Sequence, residues 1–311
     1  MTVSIVIPNY NGADFIAKII AVIRPIKGID EIIIIDDCST DNSVKIIKKE
    51  ISKTKIYSDK TKIKLFQNEK NYGFSTSVNK GVKYSTGELI VLLNTDTEPK
   101  SDFLSFAEPV FKDPSVFAVG MLQQCRENGT IINRGRGVGF FRKGFLMHER
   151  GDTDKKNTLW VSCGAGIFRK DLWNKLGGLN ELYNPFYWED IDLSYRALIS
   201  GYRLVFEPKS IVKHNQKNSS IRTAYDAMKI KRVSYRNQIM FVWLNITDQF
   251  YLFNHLIYLS FYFLKAILSM NKAFILGFFD AFLLIHKIFL CRRINSRNFR
   301  LSDKEALRMS M

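Results

Sequence analysis

Three carboxylates crowd into four positions late in the chain: Glu189, Asp190 and Asp192, within Tyr187-Trp188-Glu189-Asp190-Ile191-Asp192-Leu193-Ser194-Tyr195-Arg196. Pro185, Phe186, Tyr187 and Trp188 precede them. Such neighbours desolvate a carboxylate and raise its pKa, which suits it to general-base chemistry. The plainer alternative is a helix N-terminus whose acids complement the macrodipole. What surrounds the run decides between the two.

The first half of the chain alternates strand and helix signals. Val3 to Ile7, Ile32 to Ile35 and Leu89 to Leu93 are short apolar runs typical of buried parallel strands, and Ile63 to Phe66 reads as a further strand between the last two. Between them lie helix patterns over Phe15 to Ile23, Val44 to Ile47 (with a cap from Ser39 to Asp41) and Phe74 to Tyr84. This alternation predicts an α/β fold with a mainly parallel sheet and right-handed crossovers. Ligands of such sheets bind outside the carboxyl ends of the strands. Pro8-Asn9-Tyr10-Asn11, Asp36-Asp37 and Asn94-Thr95-Asp96 stand at three of those ends. Turn chemistry alone explains any one of them, but not all three as well. Further on, Val116 to Leu122, Trp160 to Phe168, Tyr202 to Phe206 and Ser210 to Val212 suggest strands. Asp171 to Leu176 suggests a helix closed by Gly177-Gly178. Gly135, Gly137 and Gly139, interleaved with Arg134 and Arg136, suggest a mobile loop that either covers an anionic ligand or is plain surface.

With 311 residues and no Pro/Gly/Ser-rich linker, the chain can form one large domain or two small ones. Its four cysteines are widely spaced, which argues against a zinc site or a disulfide framework and fits a reducing cytosol. The first apolar run ends at Pro8, too short for a signal peptide. No G-x-G-x-x-G or phosphate-loop pattern occurs. The net charge is +16, and residues 212–311 hold 16 Lys/Arg against 5 Asp/Glu, so this segment carries +11 of the excess.

Taken in order, these motifs resemble the inverting family 2 glycosyltransferases of GT-A fold, over about residues 2 to 220. The resemblance rests on Val3 to Asn11, on Ile35 to Asp41, on Asn71-Tyr72-Gly73-Phe74 with Asn79 and Gly81, and on Leu93-Asn94-Thr95-Asp96. Gly164-Ala165-Gly166, Gly177 to Glu181, the Glu189 to Leu193 run and His214 complete it. The branch it is most similar to includes rhamnosyltransferases of bacterial surface polysaccharide assembly. The resemblance implies a GT-A Rossmann-like sheet flanked by helices, with residues 1–97 as the nucleotide-sugar-binding half and 98–220 as the acceptor-binding half.

The implied reaction moves a sugar from a UDP- or dTDP-linked donor to a glycan or lipid-linked saccharide. The departing diphosphate builds negative charge that a divalent cation, Mn²⁺ or Mg²⁺, neutralises. By resemblance Asp96 binds that metal and Asn94 and Thr95 position the donor. The first acid of the usual D-x-D is here an amide. His214 matches a family histidine that approaches the metal, and neutral imidazole is a competent ligand. Asp190 is implied as the base, with Glu189 and Asp192 holding it or the acceptor, and Arg196 one helical turn from Asp192 as its partner. Pro8, Asn9, Tyr10, Asp36, Asp37, Asn71 and Gly73 are implied in donor binding. Trp188, Gly164 and Ala165 are implied in acceptor binding, although Trp188 serves equally as a core aromatic.

Residues 221–311 form a third unit, an apolar and basic helical region. Phe250 to Met270 and Ala273 to Cys291 each have about the length to span a bilayer. Polar residues fall on one stripe of each: Asn254, Tyr258, Tyr262, Lys265 and Ser269 in the first, Gly277, Asp280 and Lys287 in the second. Seven Lys/Arg from Lys213 to Arg236 and six from Arg292 to Arg308 flank the zone. This predicts contact with an anionic membrane on its cytoplasmic face, as a monotopic anchor or as a hairpin with Lys265 near Asp280. A soluble helical subdomain packed on the catalytic core is the bland alternative. Nucleic acid is not an expected partner. A sugar-nucleotide-forming nucleotidyltransferase would carry a basic Gly-rich loop after the first strand, where Pro8 to Gly12 hold no Lys or Arg. A non-enzymatic lipid- or nucleic-acid-binding module would not need Asp96 or Asp190.

Overall fold

The computed structural model describes residues 1–54, 61–127, 129–214 and 225–311. Lys217 and Arg222 of the basic flank lie outside them. Strand and helix alternate as β1 (Val3–Asn9), α1 (Ala13–Ile23), β2 (Glu31–Asp36), α2 (Ser43–Thr54), β3 (Lys62–Gln67), α3 (Phe74–Tyr84) and β4 (Leu89–Leu93). β1 pairs in parallel with β2 and β4, and β2 with β3. Because side chains alternate across a strand, Ile5, Ile7, Ile32, Ile34 and Val91 meet Ile16 and Ile20 of α1 on one face. Val6, Ile33, Ile35, Ile90 and Leu92 meet Val78 and Val82 of α3 on the other. Burial on both faces is why these strands are unbroken apolar runs.

The chain continues through β5 (Thr97–Pro99), α4 (Phe103–Ala107), β6 (Val116–Glu127), β7 (Thr130–Arg134), β8 (Gly137–Arg142), β9 (Phe145–Arg150), β10 (Ala165–Arg169), α5 (Lys170–Lys175), α6 (Glu189–Ile199) and β11 (Arg203–His214). The sheet runs β3-β2-β1-β4-β10-β6-β11-β5, with β7 beside β6. β10 is antiparallel to both of its neighbours. The fold is thus a mixed α/β sheet of GT-A type flanked by helices.

Three local expectations change. The strand from Trp160 begins only at Ala165, because the Val161 amide donates to Ser194 Oγ and the Ala165 amide turns back to the Ser162 carbonyl. The presumed mobile loop is the β8–β9 hairpin. A Cβ at Gly137 would lie 1.8 Å from Trp160 and one at Gly139 2.3 Å from Leu159, so these glycines make room for large side chains. Arg136 is buried and donates to the carbonyls of Asn157, Ser310 and Met311, and Arg134 pairs with Glu127. Neither awaits an anionic ligand. The two short strands after Tyr202 are one strand, β11, interrupted by a register shift between Glu207 and Ile211.

The C-terminal region comprises α7 (Ala227–Asn245), α8 (Gln249–Leu268), α9 (Lys272–Leu283), α10 (Ile285–Asn295) and α11 (Asp303–Arg308). It shares a core with the sheet: Ile239, Phe241 and Leu244 pack with Trp188, Leu193 and Tyr195. The second apolar stretch breaks at Leu284 into two helices bent by 63°. Asp280 forks with Arg232 of α7 at 2.6 and 2.7 Å, so the expected Lys265–Asp280 pairing is absent.

Tyr262, Gly277 and Asp280 of the polar stripes turn toward the protein, whereas Lys265, Ser269 and Lys287 are exposed. Tyr262 lies against Phe145 of the hairpin, buried His255 bonds to the Gly144 carbonyl, and a Cβ on Gly277 would sit 2.7 Å from the Arg232 carbonyl. Phe250, Phe253, Phe261, Leu268 and Leu283 face outward, each more than half exposed.

Candidate active site

At the open ends of β1 and β2 the polar residues first hold one another. Asn9 donates from Nδ2 to Asp36 Oδ1 at 2.7 Å, and Asp36 also accepts from the Ser39 amide and hydroxyl. Both are almost fully buried. They brace the turn after β2, where Cys38 has a φ of 63°, and offer a donor no free face. Asp37 accepts from Asn68 Nδ2 and from the amides of Tyr72 and Gly73 at 2.8–2.9 Å. It thereby fixes the loop of exposed Asn71, whose Oδ1 also accepts from the Gly73 amide. Gly73 has a φ of +91°, and a Cβ there would lie 2.8 Å from Asn184. Half-buried Pro8 and Tyr10 line this end of the sheet. Tyr225 stands near Tyr10 and Asp37, since its hydroxyl is raised above the ordinary range by burial and then by both of them.

Beyond β4, the Asn94 amide donates to the Gly164 carbonyl and its carbonyl receives the Thr97 hydroxyl at 2.7 Å. This turn half-exposes Asn94, Thr95 and Asp96. β11 antiparallel to β5 sets His214 opposite Thr97. His214 Nε2 lies 3.2 Å from Asp96 Oδ2, and its Nδ1 lies 3.2 Å from Gln123 Oε1. Burial opposes a charge on His214, but the Asp96 hydrogen bond and Cys125 outweigh it and raise its pKa to about 9.

No three His, Cys, Asp or Glu side chains cluster like metal ligands among the described residues. The pair Asp96–His214 nevertheless fits a hard divalent cation, which takes one or two protein donors and fills its shell with substrate phosphates and water. The cation would sit between Nε2 and Oδ2 in place of their hydrogen bond.

The acidic run opens α6. Trp188, with a φ of 76°, turns the chain, and Glu189, Asp190 and Asp192 occupy the first turn. Glu189 is buried and its Oε2 has no partner. Asp190 is half-buried and accepts from the Ile191 amide through Oδ1 at 2.8 Å. Burial raises both carboxyls above the ordinary range, and the adjacent Asp190 charge raises Glu189 further. The Cys163 thiol is raised by burial and then by Asp190 and Glu189, which places the Ser162–Gly164 turn beside the acids. The other side of that turn meets the metal motif: a Cβ on Gly164 would lie 2.5 Å from Asn94 Nδ2. Gly164 therefore stands between the two acidic motifs.

Three implied residues lie elsewhere. Asp192 is fully buried, receiving the Tyr183 hydroxyl at 3.1 Å, Asn245 Nδ2 at 2.7 Å and an Arg196 fork at 2.8 Å. It cannot reach an acceptor. Arg196 also donates to the carbonyls of Leu176 and Gly178, which ties α6 to the double-glycine turn. Trp188 is 6% exposed and packed edge-on between His148 and Phe241, so it is a core aromatic and not a sugar platform. Ala165 is 1% exposed and belongs to the core of the sheet.

Other residues that matter here escape sequence reasoning. Asn184 accepts from the Ser75 amide and donates to the Tyr72 carbonyl and the Thr76 hydroxyl, locking the donor loop to the acidic run. Asn237, fully buried on α7, donates from Nδ2 to the carbonyls of Tyr183, Phe186 and Tyr187 at 2.8–3.1 Å. Arg236 beside it donates to the carbonyls of Tyr183 and Asn184. Only the contacts reveal these roles, since an Asn on a helix has no distinctive spacing.

Comparison with known proteins agrees with this geometry. The GalNAc-T7 structure with UDP, GalNAc and Mn²⁺ superposes with a TM-score of 0.72 at 18% identity, covering 99% of this chain and 56% of that one. Staphylococcus aureus TarS (residues 1–349) with UDP-GlcNAc superposes at 0.59 and 16% identity, covering 100% and 90%. At these identities the likeness is one of fold. A poly-beta-1,6-N-acetyl-D-glucosamine synthase of Staphylococcus aureus is 26% identical over 208 residues, 64% of this chain and 46% of that protein. The chain spans a quarter to just under half the length of the first curated relatives it matches. Residues 4–177, more than half of the chain, match the family described as Glycosyl transferase family 2. With that match on the strands that carry Asp36, Asp96 and Gly164, the chain belongs to glycosyl transferase family 2.

Proposed function

We propose that the protein is an inverting glycosyltransferase that moves a sugar from a UDP- or dTDP-linked donor to a glycan or lipid-linked saccharide. Its branch would be that of rhamnosyl- and hexosyltransferases of bacterial surface polysaccharide assembly, working at the cytoplasmic membrane face. Residues 1–97 would bind the donor, 98–220 the acceptor, and 221–311 would touch the membrane. One observation carries the reading: Gly164 separates a cation-competent pair, Asp96–His214, from a buried acid pair, Glu189–Asp190, of which only Asp190 reaches the open site.

In this reading Pro8, Tyr10, Tyr225 and the Asn71–Gly73 loop hold the nucleoside, while Asn94 and Thr95 orient the diphosphate. Asp96 and His214 would hold Mn²⁺ or Mg²⁺, which offsets the charge developing on the leaving diphosphate. Asp190 takes the proton of the acceptor hydroxyl as that oxygen attacks the anomeric carbon, and a single displacement inverts it. Glu189 stays protonated beside it, so the pair carries one negative charge and that charge sits on Asp190. No general acid is required, because the diphosphate leaves unprotonated.

The exposed apolar side chains of the C-terminal helices favour the membrane: Phe250, Phe253 and Phe261 of α8 and Phe279 and Phe282 of α9 face outward, while Tyr262 and Asp280 turn to the protein. The test is nucleoside diphosphate release from UDP- and dTDP-sugars by purified protein with Mn²⁺ or Mg²⁺, with and without a membrane lipid extract. Release that requires metal and vanishes in Asp96→Ala supports the transferase. No release from any donor, with salt-sensitive lipid binding alone, would replace it by a binding module.

A further inference from the structure

The outward side of the C-terminal region holds a groove of about 680 Å³ between α8 on one side and α9 and α10 on the other, within the ~300–1,000 Å³ usual for ligand sites. Leu252, Leu259, Phe263 and Ile267 form the α8 wall, and Phe282 and Phe289 stand on the opposite one. From Leu252 to Ile267 the wall follows ~22 Å of helix axis at ~1.5 Å per residue. That exceeds the ~15 Å depth of one leaflet of a bilayer core.

Each polar side chain that lines the groove is already bonded to protein. Trp243 Nε1 donates to His255 Nε2 at 3.0 Å, and His255 Nδ1 donates to the Gly144 carbonyl. Arg292 donates to the carbonyls of Trp243 and Ile246, and Ser260 to that of Leu256. A polar ligand would lose its water and find those bonds taken, so the occupant is a hydrocarbon.

The surrounding charge selects its carrier. From α8 to Arg300 the cations are Lys265, Lys272, Lys287, Arg292, Arg293, Arg297 and Arg300, against a single acid, Asp280, which Arg232 neutralises. Lys265, Lys272, Lys287 and Arg293 are exposed. A second copy bringing the same cations would be repelled, whereas anionic headgroups are attracted by about 1 kcal/mol per basic residue near the surface. We propose that the groove receives one acyl chain of an anionic phospholipid, whose headgroup is drawn to the surface by the basic charge of α8 to α10. This rests on the membrane contact proposed above.

The test uses the full chain and phosphatidylglycerol vesicles whose acyl chains are brominated at mid-length. Bromine quenches an indole it touches; Trp173 and Trp188 are buried in the core, and half-buried Trp160 lies against His148 and Gly137, away from the groove lining. The expected result is quenching of wild-type emission that is lost in Trp243→Phe. Ser260→Phe fills the groove and adds apolar surface, so it should still sediment with vesicles while Trp243 emission is no longer quenched. Quenching that persists undiminished in Ser260→Phe, or wild-type binding without quenching of Trp243, overturns the groove but leaves membrane contact standing. Failure to bind any vesicle overturns both, and donor turnover, measured on the same sample, shows independently how the transferase reading stands.

Discussion

At the scale of single residues, three acids in four positions are given three different environments by one helical turn. Glu189 is buried with Oε2 left unpartnered, Asp190 keeps an open side, and Asp192 is saturated by Tyr183, Asn245 and Arg196. Asp190→Asn should lower kcat by ~10²–10⁴-fold, the usual contribution of a positioned base, with donor binding unchanged by calorimetry. The pH dependence has a definite sign. A base with a raised pKa is protonated and idle at low pH, so kcat should climb from about pH 5 and level off above the ordinary carboxylate range. Stability runs the other way. A folded pKa above the unfolded one stabilises the fold below the unfolded value, and that contribution is lost as pH rises through the folded value. Asp190→Asn should therefore melt no lower than wild type at about pH 8. Asp192→Ala behaves differently: it leaves Arg196 buried and unpaired, a defect of ~3–5 kcal/mol, visible as a depressed Tm.

At the scale of elements, α7 supports the acidic run from behind. The fork from Asn237 fixes three carbonyls of the loop that delivers Trp188 and Glu189, and Asn245 reaches Asp192. Asn237→Ala should unfold ~1–3 kcal/mol more easily, the cost of stranded buried groups. It should also lower kcat more than it changes KM for the donor, because Asp190 is displaced while the donor loop is not. A purely structural role would leave kcat intact in the protein that remains folded.

The contrast shows what a sequence reveals. The order of elements in the β1–β4 half was legible because strands buried on both faces and helices buried on one leave distinct periods, as in Ile32–Ile35 and Phe74–Tyr84, although the second helix runs on to Thr54, past the expected Ile47, through lysines that carry no apolar period. The ordered motifs also singled out Asp96 and His214, which the fold brings within 3.2 Å of each other. The β8–β9 hairpin was not, because Gly137 and Gly139 look like a loop until Trp160 and Leu159 are seen lying over them. Asn184 and Asn237 were not, because a buried amide acts through partners far away in sequence. Trp188 stayed open between two roles for a related reason: an aromatic beside a run of acids fits a sugar and a core equally well, and its contacts with Phe241 and His148 favour the core.

At the scale of the whole molecule, the distribution of polarity is that of a body with two solvents. Around the sheet the apolar residues lie inside and the acids at the strand ends. In α8 to α10 apolar and basic side chains share the outside: Tyr262, Gly277 and Asp280 turn to the protein, while Phe250, Phe253 and Phe261 stand exposed together with Lys265, Lys272 and Lys287. A soluble protein rarely leaves so large a contiguous apolar patch in water, and the helix Gln249–Leu268 is long and apolar enough to cross a membrane. The 63° bend between α9 and α10 suits a partner helix lying in the interface better than one running straight through. Each outward phenylalanine returned to water forfeits ~1.5–3 kcal/mol. The triple change Phe250→Ser, Phe253→Ser, Phe261→Ser should therefore weaken vesicle binding by at least ~10³-fold at ~1.4 kcal/mol per decade. These residues lie outside the catalytic core, so the variant should still release nucleoside diphosphate from a water-soluble donor while losing transfer to a lipid-linked acceptor. Wild-type protein that high salt strips from phosphatidylglycerol vesicles would be lying on the surface through its cations. Retention through both high salt and alkaline washing would place α8 across the bilayer instead.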